Sequence, residues 1–141
     1  MAACVRYIVT NVSDAIDFYT ELLGFRLEMH PAPPFAEVSL GDLHLYLTEA
    51  QRGPGGGAPM PSGEQQAPGG WNRIHLVVDD LDAQISRLSA AGARFRNEVI
   101  QGVGGKQILV ADPSGNLVEL FQPNTQEYRA PGSGSTSNAQ P

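Results

Sequence analysis

The sequence predicts an α+β fold assembled from two copies of one β-α-β-β-β unit, and three observations carry that prediction. Apolar and polar residues alternate in several short runs, as strands with one buried face require. Two longer stretches repeat apolar residues at helical spacing, and each stops at a glycine, Gly24 or Gly92. Setting Asn11-Val12 on Asp80-Leu81, an offset of 69 residues, also sets Val5 on Ile74, Tyr7 on Leu76, Val9 on Val78 and Ile16 on Ile85. Agreement at every second strand position and on the helix stripe marks an internal duplication.

The first copy, about residues 4–49, opens with a strand from Cys4 to Thr10. A helix over about Ser13–Leu23 follows, with Ser13 a plausible N-cap and Val12, Ile16, Tyr19 and Leu23 forming its apolar stripe. Strands are expected at about Phe25–His30, Phe35–Leu40 and Leu43–Glu49, with Gly41-Asp42 turning the last two into a hairpin. The second copy, about residues 71–123, opens with Asn72–Val78. Its helix follows Asp80 and carries Leu81, Ile85 and Leu88 on one stripe. Strands near Arg94–Asn97, Lys106–Ala111 and Leu117–Phe121 complete it. Two segments read as lying outside the fold. Residues 51–70 are almost all Gly, Pro and small polar residues, a composition that cannot bury enough apolar area to order itself. Residues 124–141 read as a disordered tail for the same reason.

Composition bounds the function. At 141 residues the chain suits one domain with a real core or two small modules sharing one. A net charge of −6 argues against nucleic acid and anionic membrane as partners. The single cysteine, Cys4, rules out an internal disulfide and fits a reducing compartment. The N-terminal stretch lacks the pattern of a signal peptide, and no apolar run approaches the roughly 20 residues of a membrane helix. A soluble, cytoplasmic protein is expected.

Residues 112–121, DPSGNLVELF, place one carboxylate in an otherwise apolar strand. Asp112-Pro113-Ser114-Gly115-Asn116 is a turn, and alternation then sets Val118 and Leu120 on one face and Leu117, Glu119 and Phe121 on the other. Together with the duplication and with FYTELLGF at residues 18–25, this motif resembles the vicinal oxygen chelate superfamily: glyoxalases, bleomycin-resistance proteins, fosfomycin-resistance enzymes and extradiol dioxygenases. The resemblance covers nearly everything except 51–70 and the tail. It implies paired modules forming a cup-shaped mixed sheet with helices outside. Strand phase then turns Cys4, Arg6, Ile8 and Thr10, His44, Tyr46 and Thr48, Arg73, His75 and Val77, and Leu117, Glu119 and Phe121 toward the cup.

Metal-using members of that superfamily take His or Glu ligands from the first and last strands of each module. By position, the corresponding residues here are Cys4, Arg73, Glu119 and either His44 or Tyr46. Only Glu119 matches the pattern cleanly. Cys4, His44 and Glu119 could form a zinc site, but guanidinium has no lone pair to give and puts a positive charge where the ion would sit. No metal and no cofactor is therefore expected. Arg73 should instead pair with Glu119 through a two-pronged guanidinium–carboxylate contact, either presenting donors to a ligand or tying two strands together.

Other residues have a functional and a plain reading. His75 shares a face with Arg73 and is a possible base, though a strand histidine is more often a satisfied packing residue. Tyr46 can pack with its hydroxyl at the cavity edge or touch a ligand. His30, in the Pro-rich MHPAPPF, should be exposed, and Cys4 inert. GVGGK at 102–106 lacks the spacing of a phosphate loop and reads as a hairpin. The candidate ligand-binding set is Arg6, Phe35, His44, Tyr46, Trp71, Arg73, His75, Glu119 and Phe121, a mixture of apolar surface and donors suited to a drug-sized molecule. The favoured reading is a metal-free protein that binds a bulky, partly aromatic ligand in the manner of bleomycin-resistance proteins, with no assigned catalytic residue. Alternatives are a glyoxalase- or dioxygenase-like enzyme with a non-standard site, working through His75, Glu119 or Tyr46, and a structural module whose cup is filled by its own side chains. Family members commonly cover sheet edges with a second copy, so a homodimer is expected.

Overall fold

A computed structural model describes residues 1–50 and 55–124. Most of the tail expected at 124–141, and the start of the Gly/Pro-rich segment, lie outside the described residues. The chain is a mixed α+β structure with two mixed sheets and few helices. It divides into two compact units, the first Met1–Asn72 with Ala111–Leu117, the second Arg73–Val110 with the residues from Val118 onward.

In the first unit, strand β1 (Val5–Val9) leads into helix α1 (Val12–Asp17), which continues as a π-helical stretch over Phe18–Leu22. Asn11, not Ser13, caps the helix: its side chain accepts from the Asp14 backbone N–H at 2.9 Å. Ser13 already lies inside the first turn, while Asn11 keeps the extended backbone a cap needs. Gly24, at φ 78°, takes the left-handed conformation that ends the helical segment. Strands β2 (Arg26–Ala32), β3 (Phe35–Leu40) and β4 (Leu43–Glu49) follow. The sheet order is β1-β4-β3-β2, with β1 parallel to β4 and the other pairs antiparallel. β2 runs two residues further than its pattern suggested, through Pro31. It is an edge strand with register shifts, so a missing N–H costs it no ladder bond.

Tyr7, Val9, Val38, Leu45 and Leu47 bury one face of this sheet together with Val12, Ala15 and Tyr19 of the helical segment. Each fully buried leucine contributes about 1.5–3 kcal/mol relative to exposure. Tyr19 is edge-on to both Phe18 and Phe25. Its hydroxyl donates to Asp112 Oδ2 at 2.9 Å. Burial pushes the Tyr19 phenol up, and the Asp112 charge adds to the shift.

The turn at 112–116 packs within this unit although its sequence lies inside the second copy. Asp112 is fully buried and accepts from the backbone N–H groups of Ser114 and Asn116. Asn116 donates to the Ile8 carbonyl, and the Ser114 hydroxyl accepts from the Thr10 N–H. Residues 55–70 differ from expectation. They contain no strand or helix, yet polar contacts replace the missing apolar area. Gln66 donates to the Gly56 and Ala58 carbonyls, and the Gly69 N–H donates to Asn116.

The second unit begins with β5 (Ile74–Val77) and α2 (Leu81–Ala90), capped by Asp80, which accepts from the Ala83 N–H at 3.0 Å. The two helix starts are built alike: the first helical N–H is taken by Glu49 at Val12 and by Gln122 at Leu81, each from the end of a strand parallel to its unit's opening strand. Strands β6 (Arg94–Phe95), β7 (Ile100–Gln101), β8 (Gly105–Ala111) and β9 (Leu117–Pro123) follow. The order is β5-β9-β8-β6, with β7 paired to β8. β7 has no counterpart in the sequence reading, because two residues are too few to show a period. Leu81 and Leu88 are fully buried, as their stripe predicts.

Candidate functional site

In the second unit β5 and β9 run parallel with His75 opposite Glu119 and Val77 opposite Phe121. Period-2 geometry then puts Arg73, His75, Glu119 and Phe121 on one face. Arg73 donates to Glu119 Oε1 through Nε at 3.0 Å and Nη2 at 2.9 Å. Both of these prongs fall on Oε1, and Oε2 faces His75 Nδ1 at 3.3 Å. Glu119 thus sits between a guanidinium and an imidazole, with its side chain 10% exposed against 30% for Arg73 and 37% for His75. The imidazole is tilted against Phe121 at 5.1 Å between centroids. His75 is therefore part of the carboxylate's surroundings rather than a separate packing residue.

GVGGK supports this face from behind. A Cβ on Gly105 would lie 2.1 Å from the Gln122 carbonyl oxygen and 2.8 Å from Phe121 Cζ, so β8 runs beside β9 at this distance only with glycine there.

In the first unit the face opposite the helix carries Cys4, Arg6, Phe35, His44, Tyr46 and Thr48 by register. The Arg6 guanidinium lies over the Tyr46 ring, 5.5 Å from its centroid. Tyr46 is edge-on to Phe35 at 5.2 Å. The neighbouring Cys4 side chain, more than desolvation, holds the Tyr46 phenol above its usual range. Both His44 and Tyr46 lie on this face.

Sequence reading missed three residues here: Glu37, Ser39 and Glu28. Glu37 Oε2 makes a very short contact with His44 Nδ1, which engages that ring nitrogen. Ser39 donates to Glu28 at 2.6 Å, and Arg26 reaches the same oxygen. The Ser39 hydrogen bond, then the Arg26 contacts, hold the Glu28 carboxyl below its ordinary value. Alternation in Phe35–Leu40 contained the signal, since Phe35, Glu37 and Ser39 share a parity. Trp71 is two-thirds exposed, and His30 is exposed.

Among the described residues no three His, Cys, Asp or Glu side chains group so as to hold a metal ion. Two of the side chains that stand at the metal-using relatives' donor positions have partners here. Glu119 pairs with Arg73, and His44 Nδ1 meets Glu37.

A family model described as the Glyoxalase/Bleomycin resistance protein/Dioxygenase superfamily matches residues 2–120. A Mycobacterium bovis protein carrying the provisional name of glyoxylase CFP32 is 31% identical over 118 residues, 82% of this chain. The chain spans 42% of that relative's length. Among solved structures, the antibiotic-binding protein TnmS3 from Streptomyces sp. CB03234 is 27% identical with a TM-score of 0.67, covering 88% of this chain and 96% of its own. Lactoylglutathione lyase from Agrobacterium tumefaciens is 20% identical with a TM-score of 0.66, covering 86% of this chain and 94% of its own, a likeness of fold. With the duplicated sequence pattern, two mixed sheets and a match over nearly all described residues, the chain belongs to the Glyoxalase/Bleomycin resistance protein/Dioxygenase superfamily.

Proposed function

We propose that this chain is a small-molecule-binding member of its superfamily that holds a bulky, partly aromatic ligand on the open faces of its sheets, without a metal and without turnover. The observation that carries the reading is the Arg73–Glu119 pair. The one carboxylate that matches the superfamily's ligand pattern already has a guanidinium on one oxygen and an imidazole at the other. A cation that can neither ligate nor lose its proton stands beside the position a metal would take. Aromatic surface is present in both units, Phe35–Tyr46 in one and Phe121–His75 in the other, each beside an arginine. TnmS3, similar in sequence as well as fold, is an antibiotic-binding protein, which favours binding over catalysis.

A second reading, acid–base catalysis, draws on the His44–Glu37 and His75–Glu119 contacts. Each engages a ring Nδ1 with a carboxylate, the arrangement that orients a general base. Native mass spectrometry of freshly purified full-length protein tests both readings. Binding predicts protein free of stoichiometric divalent metal that retains or takes up an organic ligand unchanged. Close to one metal ion per chain, lost in Glu119→Ala, overturns the binding reading. Conversion of a bound ligand, abolished in His44→Ala or His75→Ala, establishes the catalytic one.

A further inference from the structure

At one end of the open face of the first sheet, three features remain unused by the pairs described above. Thr48 is 5% exposed, and among the described residues its hydroxyl has no hydrogen-bond partner. It faces the open side between its register partners Ile8 and Phe35. A buried hydroxyl left unpaired costs free energy, which a bound acceptor or donor would recover. Arg6 lies on the neighbouring strand with its guanidinium over Tyr46, and among the described residues it has no carboxylate partner. The acidic side chains of this sheet are engaged elsewhere: Glu37 with His44, Glu28 with Ser39 and Arg26, and Glu49 with the Val12 N–H.

The third feature is what covers these two groups. A Cβ on Gly56 would stand 1.7 Å from Arg6 Nη1, so the Gly56 backbone rests on the guanidinium. A Cβ on Gly57 would stand 2.1 Å from the Glu49 carbonyl oxygen and 3.2 Å from Thr48 Cγ2. Two consecutive glycines thus form a strap that lies on the Arg6 guanidinium and against the Thr48 methyl, beside a hydroxyl that it does not pair. Ala58 N–H to Gly55 O, at 3.1 Å, and Gln66 hold the strap in place.

We propose that this end of the sheet is the subsite for the acidic group of an aromatic carboxylic acid, which displaces the Gly56–Gly57 strap as it binds. The inference rests on the small-molecule-binding reading and names the ligand's chemical class. The carboxylate accepts from the Arg6 guanidinium, whose planar fork matches it. One of its oxygens accepts from the Thr48 hydroxyl, and the ring lies against the Phe35–Tyr46 wall.

The test uses the full chain, isothermal titration calorimetry, and matched probes: benzoate, 2-naphthoate and anthracene-9-carboxylate, each beside its uncharged primary amide. Wild type should bind at least one acid tenfold or more tightly than its amide. Arg6→Gln should bring the acid to the amide's affinity, with a cooperative melting transition showing that the variant is folded. Thr48→Val should raise the melting temperature of the free protein yet weaken the acid about fivefold. Acid binding should also remove hydrogen-exchange protection at the Ala58 amide. Equal binding of acid and amide, an acid preference surviving in R6Q, or T48V stabilising the protein with unchanged affinity overturns the subsite and leaves the binding reading standing. Failure of every acid and every amide to bind overturns both.

Discussion

Removing Arg73 should expose how much of the second unit's stability depends on neutralising Glu119. The Glu119 side chain is 10% exposed, so in Arg73→Ala its charge loses two hydrogen bonds where water cannot fully replace them. An uncompensated buried charge costs about 3–5 kcal/mol, whereas a screened surface pair is worth about 0.2–1 kcal/mol. Two facts pull the value down from the buried limit. Arg73 is 30% exposed, and His75 Nδ1 remains 3.3 Å from the other oxygen. We expect R73A to cost about 2 kcal/mol at pH 8. Glu119→Ala should cost about 1 kcal/mol, since a part-exposed guanidinium can turn to water. The double variant should lose about 1.5 kcal/mol, leaving a coupling of about 1.5 kcal/mol, roughly tenfold in the folding constant. The assay is urea unfolding followed by circular dichroism, with the slope held common across the cycle. A coupling below about 0.3 kcal/mol would mean the two side chains do not stabilise each other, and the reading of Arg73 as the residue that neutralises this carboxylate would fall.

Gly105→Ala should destabilise by more than about 2 kcal/mol, because the new methyl meets the Gln122 carbonyl at 2.1 Å and backbone must move; a melting temperature within a degree of wild type would contradict this close approach. The Glu28 carboxyl is held low, first by Ser39 and then by Arg26, so its stabilising contribution is present above the unfolded carboxylate value of about 4.3 and is lost as pH falls through the lower folded value. Urea midpoints of wild type and Glu28→Gln should therefore differ at pH 6 and converge as pH falls through that lowered value; a constant difference would exclude titration of Glu28 as the cause. Asn11→Ala and Asp80→Ala should each cost about 1 kcal/mol through loss of a helix cap, with the two effects adding in the double variant. Sedimentation at micromolar concentration should give a dimer; only a 15.0 kDa species would count against it.

The sequence by itself determined whatever depends on local period and local backbone chemistry. Alternation in β1 and β4 separated Tyr7, Val9, Leu45 and Leu47 from Arg6, His44 and Tyr46, because side-chain direction in a strand depends on parity alone. The offset of 69 paired Asn11 with Asp80, and both proved to be caps, although Ser13 looked the better cap by composition. The contact of Arg73 with Glu119 was legible because strand phase put both on one face and the family resemblance implied that their strands are neighbours. Tertiary structure alone decided which partners close each cluster. Glu37 reaches His44, and Ser39 reaches Glu28, through a register across β2, β3 and β4 that no one-dimensional pattern encodes, since β2 shifts its pairing twice. The same holds for the glycines. Composition marked 51–70 as unable to bury apolar surface, but Gly56, Gly57 and Gly105 are constrained by what lies against them. Only folding brings a guanidinium and carbonyl oxygens from distant segments to within about 2 Å of a missing side chain.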